Sequence, residues 1–139
     1  MKSIKYELAD RIEWKNKEGM LHRLDGPALE FDNGSREWWV GGKRHRGDGP
    51  AIEWGDGHKE WYLNGRIHRV GGPAIINGKY KEWRFNGKIH RVDGPAIEWG
   101  NGDKEWWLNG KLFHSQEDWF EILTELEKLN YLFKMEAIK

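Results

Sequence analysis

Histidine, arginine and aspartate recur as a unit along this chain: "HRLDG" from His22, "HRGDG" from His45, "HRVGG" from His68 and "HRVDG" from His90. Imidazole, guanidinium and carboxylate are the groups from which metal centres, anion sites and acid–base pairs are built. Their spacing narrows the choice. Copies begin at positions 22, 45, 68 and 90, with a further histidine at 114, so the intervals run from 22 to 24 residues. One imidazole per repeat puts neighbours about 9–10 Å apart if each repeat is a hairpin. Zinc ligands each lie about 2 Å from the ion, so the repeated histidines cannot share one. His58 stands in a turn with no partner pattern, and neither metal nor cofactor is expected.

Arginine beside a carboxylate forms a charge-assisted, often bidentate bond that can pin a turn. Arg23 with Asp25, Arg46 with Asp48 and Arg91 with Asp93 read as such pins, with Glu30, Glu53 and Glu98 as further acceptors. The third copy has Gly71 in place of the aspartate and Ile76 in place of the glutamate. Arg69 is thereby left short of partners, and Arg69, Arg46 and His68 are the candidate contacts for an anion.

A second set flanks an invariant tryptophan. Glu37, Glu60, Glu82 and Glu105 precede Trp38, Trp61, Trp83 and Trp106; Trp39, Tyr62, Arg84 and Trp107 follow them. Side chains alternate along a strand, so each glutamate shares a face with the residue after the tryptophan. Aromatic residues and arginine are enriched in binding hot spots, which makes this outward row the principal candidate binding surface. Its other use is to stabilise the sheet by pairing, or to lie under a C-terminal helix. The opposite face, with Trp38, Trp61, Trp83 and Trp106 and then Val40, Leu63, Phe85 and Leu108, reads as core. Leu29, Ile52, Ile75 and Ile97, with Phe31, Trp54 and Trp99, complete it. No nucleophile elbow, zinc signature or phosphate-binding loop is present, and "GGKRHRGDG" (Gly41 to Gly49) lacks the P-loop pattern. No two carboxylates stand out as a glycosidase pair. Groups present four times over serve structure or multivalent binding, so no enzyme is expected.

The elements that must position these groups are short. Each copy holds two strand-like runs, such as "PAIEW" (Pro50 to Trp54) and "KEWYL" (Lys59 to Leu63), followed by Asn-Gly at Asn64-Gly65, Asn86-Gly87 and Asn109-Gly110. Asn-Gly between strands is the strongest short-range hairpin signal, because both turn positions need positive φ. A mainly β fold follows: an antiparallel meander of about four to five tandem β-hairpin repeats with a C-terminal amphipathic capping helix. The chain reads as one repeat domain over 1–139, with an N-terminal strand and degenerate half-repeat (1–21), four hairpin repeats (22–113) and the helix (114–139). Ser115 is the expected N-cap, with Asp118 three residues on, and Trp119, Ile122, Leu123, Leu126 and Leu129 share one helical face. Such a helix would cover an open sheet edge or an apolar face.

The whole chain excludes several classes. With 23 basic and 23 acidic residues the net charge is zero, which argues against general nucleic-acid binding. Cysteine is absent, and no apolar run approaches membrane-spanning length. The N-terminus lacks the apolar region of a signal peptide, so a soluble, cytoplasmic protein is expected, without membrane contact.

The pattern "HRxDGPAxEWxxGxxEWYxNGKxHR", spanning residues 12–113, resembles the tandem repeats of small bacterial and bacteriophage proteins. It is similar to MORN-type and MORN-variant hairpin repeats with their "Y/W-x-NGK" turns. The resemblance implies a scaffold or interaction surface. "HRxDGPA" departs from the standard MORN pattern, so lipid-related roles are not carried over. The expectation is a non-enzymatic module that engages another protein through the outward row; if phage-encoded, it would act in the host cytoplasm as an inhibitor of a host or defence protein. Two alternatives stand beside it: a small-ligand binder or sponge for a nucleotide or sugar, and a structural repeat that self-assembles into a homo-oligomer.

Overall fold

The computed structural model describes residues 2–138. The strands are β1 (Ile4–Glu7), β2 (Arg11–Lys15), β3 (Leu29–Phe31), β4 (Arg36–Glu37), β5 (Trp39–Val40), β6 (Lys43–Arg44), β7 (Ile52–Glu53), β8 (Lys59–Glu60) and β9 (Tyr62–Leu63). They continue as β10 (Arg66–Ile67), β11 (Ile75–Asn77), β12 (Tyr80–Glu82), β13 (Arg84–Phe85), β14 (Lys88–Ile89), β15 (Ile97–Glu98), β16 (Lys104–Leu108) and β17 (Lys111–Phe113). Two helices close the chain, α1 (Gln116–Ile122) and α2 (Glu125–Ile138). An eleven-stranded antiparallel meander runs β1-β2-β3-β4-β7-β8-β11-β12-β15-β16-β17. Three short hairpins, β5–β6, β9–β10 and β13–β14, stand off it.

Asn-Gly turns close β9–β10 and β13–β14, and also β16–β17 at the end of the main sheet, while Gly41-Gly42 closes β5–β6. Asn64 has φ +51° and Gly65 +81°, and Asn86-Gly87 and Asn109-Gly110 repeat those values closely. Asparagine tolerates this left-handed backbone better than other side-chain-bearing residues. In the first three copies the expected second strand is divided at its tryptophan, whereas β16 runs unbroken through Trp106. Lys59–Glu60 belongs to the main sheet, and Tyr62–Leu63 turns away into its own hairpin. The amide of Trp61 still donates to Ala74 (2.8 Å), and those of Trp38 and Trp83 to Ala51 and Ala96 in the same way.

The recurring histidine fastens each repeat internally, and the recurring arginine joins it to the one before. Nδ1 of His45 accepts the backbone N–H of Asn64 at 3.0 Å, His68 that of Asn86 at 2.9 Å and His90 that of Asn109 at 3.0 Å. His22 receives the N–H of Gly41 in the same manner. Each arginine guanidinium lies over the tryptophan ring one repeat earlier: Arg23 on Trp14, Arg46 on Trp38, Arg69 on Trp61 and Arg91 on Trp83, at 3.8–4.1 Å from ring centroid to guanidinium carbon. The fifth tryptophan, Trp106, has no arginine to receive. Trp119 of α1 takes that place, 4.6 Å from the Trp106 ring, with its indole N–H donating to the Arg91 carbonyl. The helices therefore close the ladder by substituting an indole for the missing guanidinium.

Two expectations about packing are corrected. Strand register puts Leu29, Ile52, Ile75 and Ile97 directly opposite Glu37, Glu60, Glu82 and Glu105, so the aliphatic row shares the glutamate face and not the tryptophan face. Ile52, Ile97 and Glu82 are all buried, while Trp54, Phe85 and Trp99 are each more than two-fifths exposed. The C-terminal segment is also two helices. Ser115 caps the first as expected, its hydroxyl accepting from the Asp118 amide. Thr124 then opens the second: its hydroxyl accepts from the Glu127 amide, and the Glu127 carboxylate accepts from the Thr124 amide. This reciprocal capping box breaks the single helix at Leu123. Trp119, Leu123 and Tyr131 form the buried cluster, and Ile122, Leu126 and Leu129 face outward.

Candidate functional site

The glutamate row is half-buried to buried, Glu82 most deeply, and each member is met by two side-chain donors or cations. Glu37 accepts the Trp39 indole N–H at 2.8 Å and lies 3.6 Å from the Arg44 guanidinium. Glu60 accepts the Tyr62 hydroxyl at 2.8 Å and stands 2.7 Å from Nε2 of His58. Glu82 takes the Tyr80 hydroxyl and Nε of Arg84 in two short bonds. Glu105 accepts the Trp107 indole at 2.8 Å and the Trp99 indole at 3.2 Å. Glu13, in the degenerate N-terminal unit, does the same with Arg11 and Lys15. Removing such an acceptor strands two donors, so the row is costly to disturb.

These pairings fix the candidate residues in place. Trp39, Tyr62, Arg84 and Trp107 are half-buried, each anchored by its own glutamate two residues back. Arg44 reaches over the rings of both Trp39 and Tyr62, at 4.9 and 5.5 Å, linking the first two positions of the row. Burial, then the bond to Glu60, pushes the Tyr62 hydroxyl up to about 12, so it remains a donor at neutral pH. Burial and Glu82 move Tyr80 in the same direction. His58, Tyr80, Trp99 and Arg44 were not among the expected site residues. The signal for two of them is a donor two positions before the glutamate, as in His58-x-Glu60 and Tyr80-x-Glu82, which strand alternation brings to one face.

The arginine column lies on the other side. Arg46 donates Nε to Asp48 at 2.9 Å and Nη1 to the Pro50 carbonyl at 3.1 Å, with Glu53 at 3.3 Å. Arg23 repeats this with Asp25, Pro27 and Glu30, and Arg91 with Asp93, Pro95 and Glu98. The glycine of each "DGP" or "GGP" leaves room for the arginine in its stacked position. A Cβ on Gly26, Gly49, Gly72 or Gly94 would sit 2.7–2.9 Å from the guanidinium carbon. Arg69 keeps its stack on Trp61 and its bond to the Pro73 carbonyl (3.0 Å), and it has no carboxylate partner among the described residues. Burial pulls its guanidinium below the ordinary value, with no acid to offset the effect.

The three candidate anion contacts are thus unequal. Arg46 is already neutralised by Asp48 and Glu53, and His68 has its Nδ1 occupied by the Asn86 amide and its ring against Phe85. Open clefts of about 590 and 510 Å³ lie on either side of the third loop, and Arg69 lines both. Among the described residues there is no group of three or more metal-ligating side chains, and no helix is long and apolar enough to cross a membrane.

Fold and site together define a tandem β-hairpin repeat protein whose rungs are joined by arginine–tryptophan stacks and whose hairpins are each pinned by a histidine–amide bond. No known family model, curated protein or solved structure matches the chain.

Proposed function

We propose that the chain is a non-enzymatic binding module that engages another protein through Trp39, Tyr62, Arg84 and Trp107, with Glu37, Glu60, Glu82 and Glu105 as their supports. The observation that supports this reading is the anchoring of each side chain by its glutamate at i−2. Rings and a guanidinium already fixed in one orientation lose little entropy on association, which favours tight recognition by a few anchors. The row also differs in chemistry from rung to rung, beside a tryptophan and a glutamate that recur in every copy. Partner selection needs such variation. The resemblance to phage repeat proteins supports the sharper version, an inhibitor of a host or defence protein acting in the host cytoplasm.

The test is affinity capture from bacterial lysate with the wild-type chain, followed by reconstitution of any captured protein with purified components. Trp39→Ser, Tyr62→Ser and Trp107→Ser should each weaken the reconstituted complex at least tenfold while the chain stays folded, with a far-UV spectrum near wild type and a cooperative melt well above the assay temperature. Undiminished affinity in all three variants would remove this face from consideration.

A further inference from the structure

We propose that the third repeat carries a carboxylate-binding site centred on Arg69, occupied by a ligand that supplies the two acids this repeat lacks. The other repeats act as the template. In them, Nε of the arginine donates to an aspartate at 2.8–2.9 Å, and Nη1 lies 3.3–3.7 Å from a glutamate. Arg69 has the same stack and the same proline-carbonyl bond as its counterparts, so its guanidinium is held in the same pose with those two acids missing. The backbone at Gly71 is left-handed (φ +84°), unlike that of the aspartates it replaces, and no atom lies within 4 Å of a Cβ built there, so the loop leaves open space beside Arg69.

The second vacancy lies in the strand register. On the arginine side of the sheet, directly opposed residues alternate in charge: Glu30 faces Arg36, Arg36 faces Glu53, and Glu53 faces Lys59. At the far end Lys81 faces Glu98, which faces Lys104. Between them Ile76 stands directly opposite both Lys59 and Lys81, where the alternation calls for an acid. Two lysines and one arginine therefore converge on a repeat that has lost both of its carboxylates. Asp48 lines the neighbouring cleft, but its carboxylate is already engaged by Arg46. The internal counterparts select carboxylate as the ligand chemistry, either a free dicarboxylate or a pair of acidic side chains on another protein. This site is on the opposite face from the aromatic row and does not depend on it.

The Nε–Hε resonances of the arginines give a direct readout, because those of Arg23, Arg46 and Arg91 are already bonded to aspartate. Succinate, inorganic phosphate and a short peptide carrying one Asp and one Glu would each be titrated into the ¹⁵N-labelled chain. The expected result is a saturable shift of the Arg69 signal in the millimolar range with succinate or the peptide, the other three remaining still. Stronger binding of the peptide identifies a protein ligand, and equal or stronger binding of succinate a free dicarboxylate. Ile76→Glu, which restores the acid between Lys59 and Lys81, should reduce the affinity several-fold without unfolding the chain. No shift at Arg69, equal shifts at all four arginines, a response to phosphate alone, or unchanged affinity in Ile76→Glu would each overturn the proposal.

Discussion

Gly47 and Gly49 lie two residues apart in one loop, and alanine should have opposite effects at them. At Gly47 the backbone is not left-handed and a Cβ would meet nothing within 4 Å. Gly47→Ala should therefore be neutral or stabilise by up to about 1 kcal/mol through the unfolded chain. At Gly49 a Cβ would lie 2.9 Å from the guanidinium carbon of Arg46, which must then move off Trp38. What is lost follows from the contacts. A partly exposed guanidinium–indole stack is worth about 0.5–1 kcal/mol, and the hydrogen bond to the Pro50 carbonyl about 1 kcal/mol. The pair with Asp48, whose side chain is 88% exposed, adds only about 0.2–1 kcal/mol. Gly49→Ala should cost about 1–3 kcal/mol, a fall in melting midpoint of roughly 3–12 °C for a chain of this size. Urea unfolding measures both variants. The mechanism is isolated by a double-mutant cycle: in an Arg46→Gln background the Gly49→Ala penalty should shrink to a few tenths of a kcal/mol. Equal effects at the two glycines, or a penalty that persists without Arg46, would show that the guanidinium is not what the glycine accommodates.

Trp119→Ala removes a fully buried indole from the Trp106 stack, and about 3–5 kcal/mol of stability should go with it, together with helical signal in circular dichroism. A loss below about 1 kcal/mol would mean that α1 does not cap the ladder. His90 tests the histidine–amide bond: burial, opposed by Glu127, holds its pKa below the ordinary value. The unfolded chain then binds the proton more readily, so the contribution of His90 is complete above pH about 6.5 and declines as pH falls through the lower folded value. Denaturant titrations between pH 7.5 and 5 should show that decline, and His90→Gln should flatten it; identical slopes would count against the assignment. Asn86→Ala places a Cβ-bearing residue without a short polar side chain at φ +49°, costing about 1 kcal/mol by thermal melting.

Much of the meander was legible because its signals are local. Asn-Gly at Asn64, Asn86 and Asn109 dictates the turns, and the period of the histidines dictates how many hairpins follow one another. The stack of Arg46 on Trp38 was not legible, because it joins residues of successive copies, and no short-range spacing reveals which ring a guanidinium will meet. The Arg46–Asp48 pair, two residues apart, was readable for the opposite reason. The buried character of Glu82 was hidden by its charge. Only the donors two positions to each side, Tyr80 and Arg84, explain how it is satisfied. Thr124 was obscured differently: the apolar spacing of Trp119, Ile122, Leu126 and Leu129 continues unbroken through it, and the capping box that interrupts the helix shows only as Thr124 with Glu127 three residues on. Of the candidate site, the aromatic row was found by alternation, but its support His58 falls at a variable position of the motif and Trp99 at one that reads as core.

The contacts between rungs have a direction, and that direction makes a strong test of the architecture. The arginine of each copy covers the tryptophan of the one before, and the histidine of each copy holds the turn amide within its own hairpin, as His45 does with Asn64. A repeat placed in the interior therefore meets the same partners at both ends wherever it is inserted, as nearest-neighbour stability in repeat proteins requires. Duplicating residues 45–67 directly after position 67 should give a chain in which the new Arg46 equivalent covers Trp61 and Arg69 covers the new Trp61 equivalent. One additional stack and one additional histidine–amide bond are gained, and no contact of the caps is altered. The longer chain should unfold in a single transition with a larger urea m-value, since more surface is exposed, and with a melting midpoint no lower than that of the parent. A lower midpoint, or a second transition, would mean that the rungs are not interchangeable and that the third repeat's altered acids, or the N-terminal unit, set the register of the whole sheet.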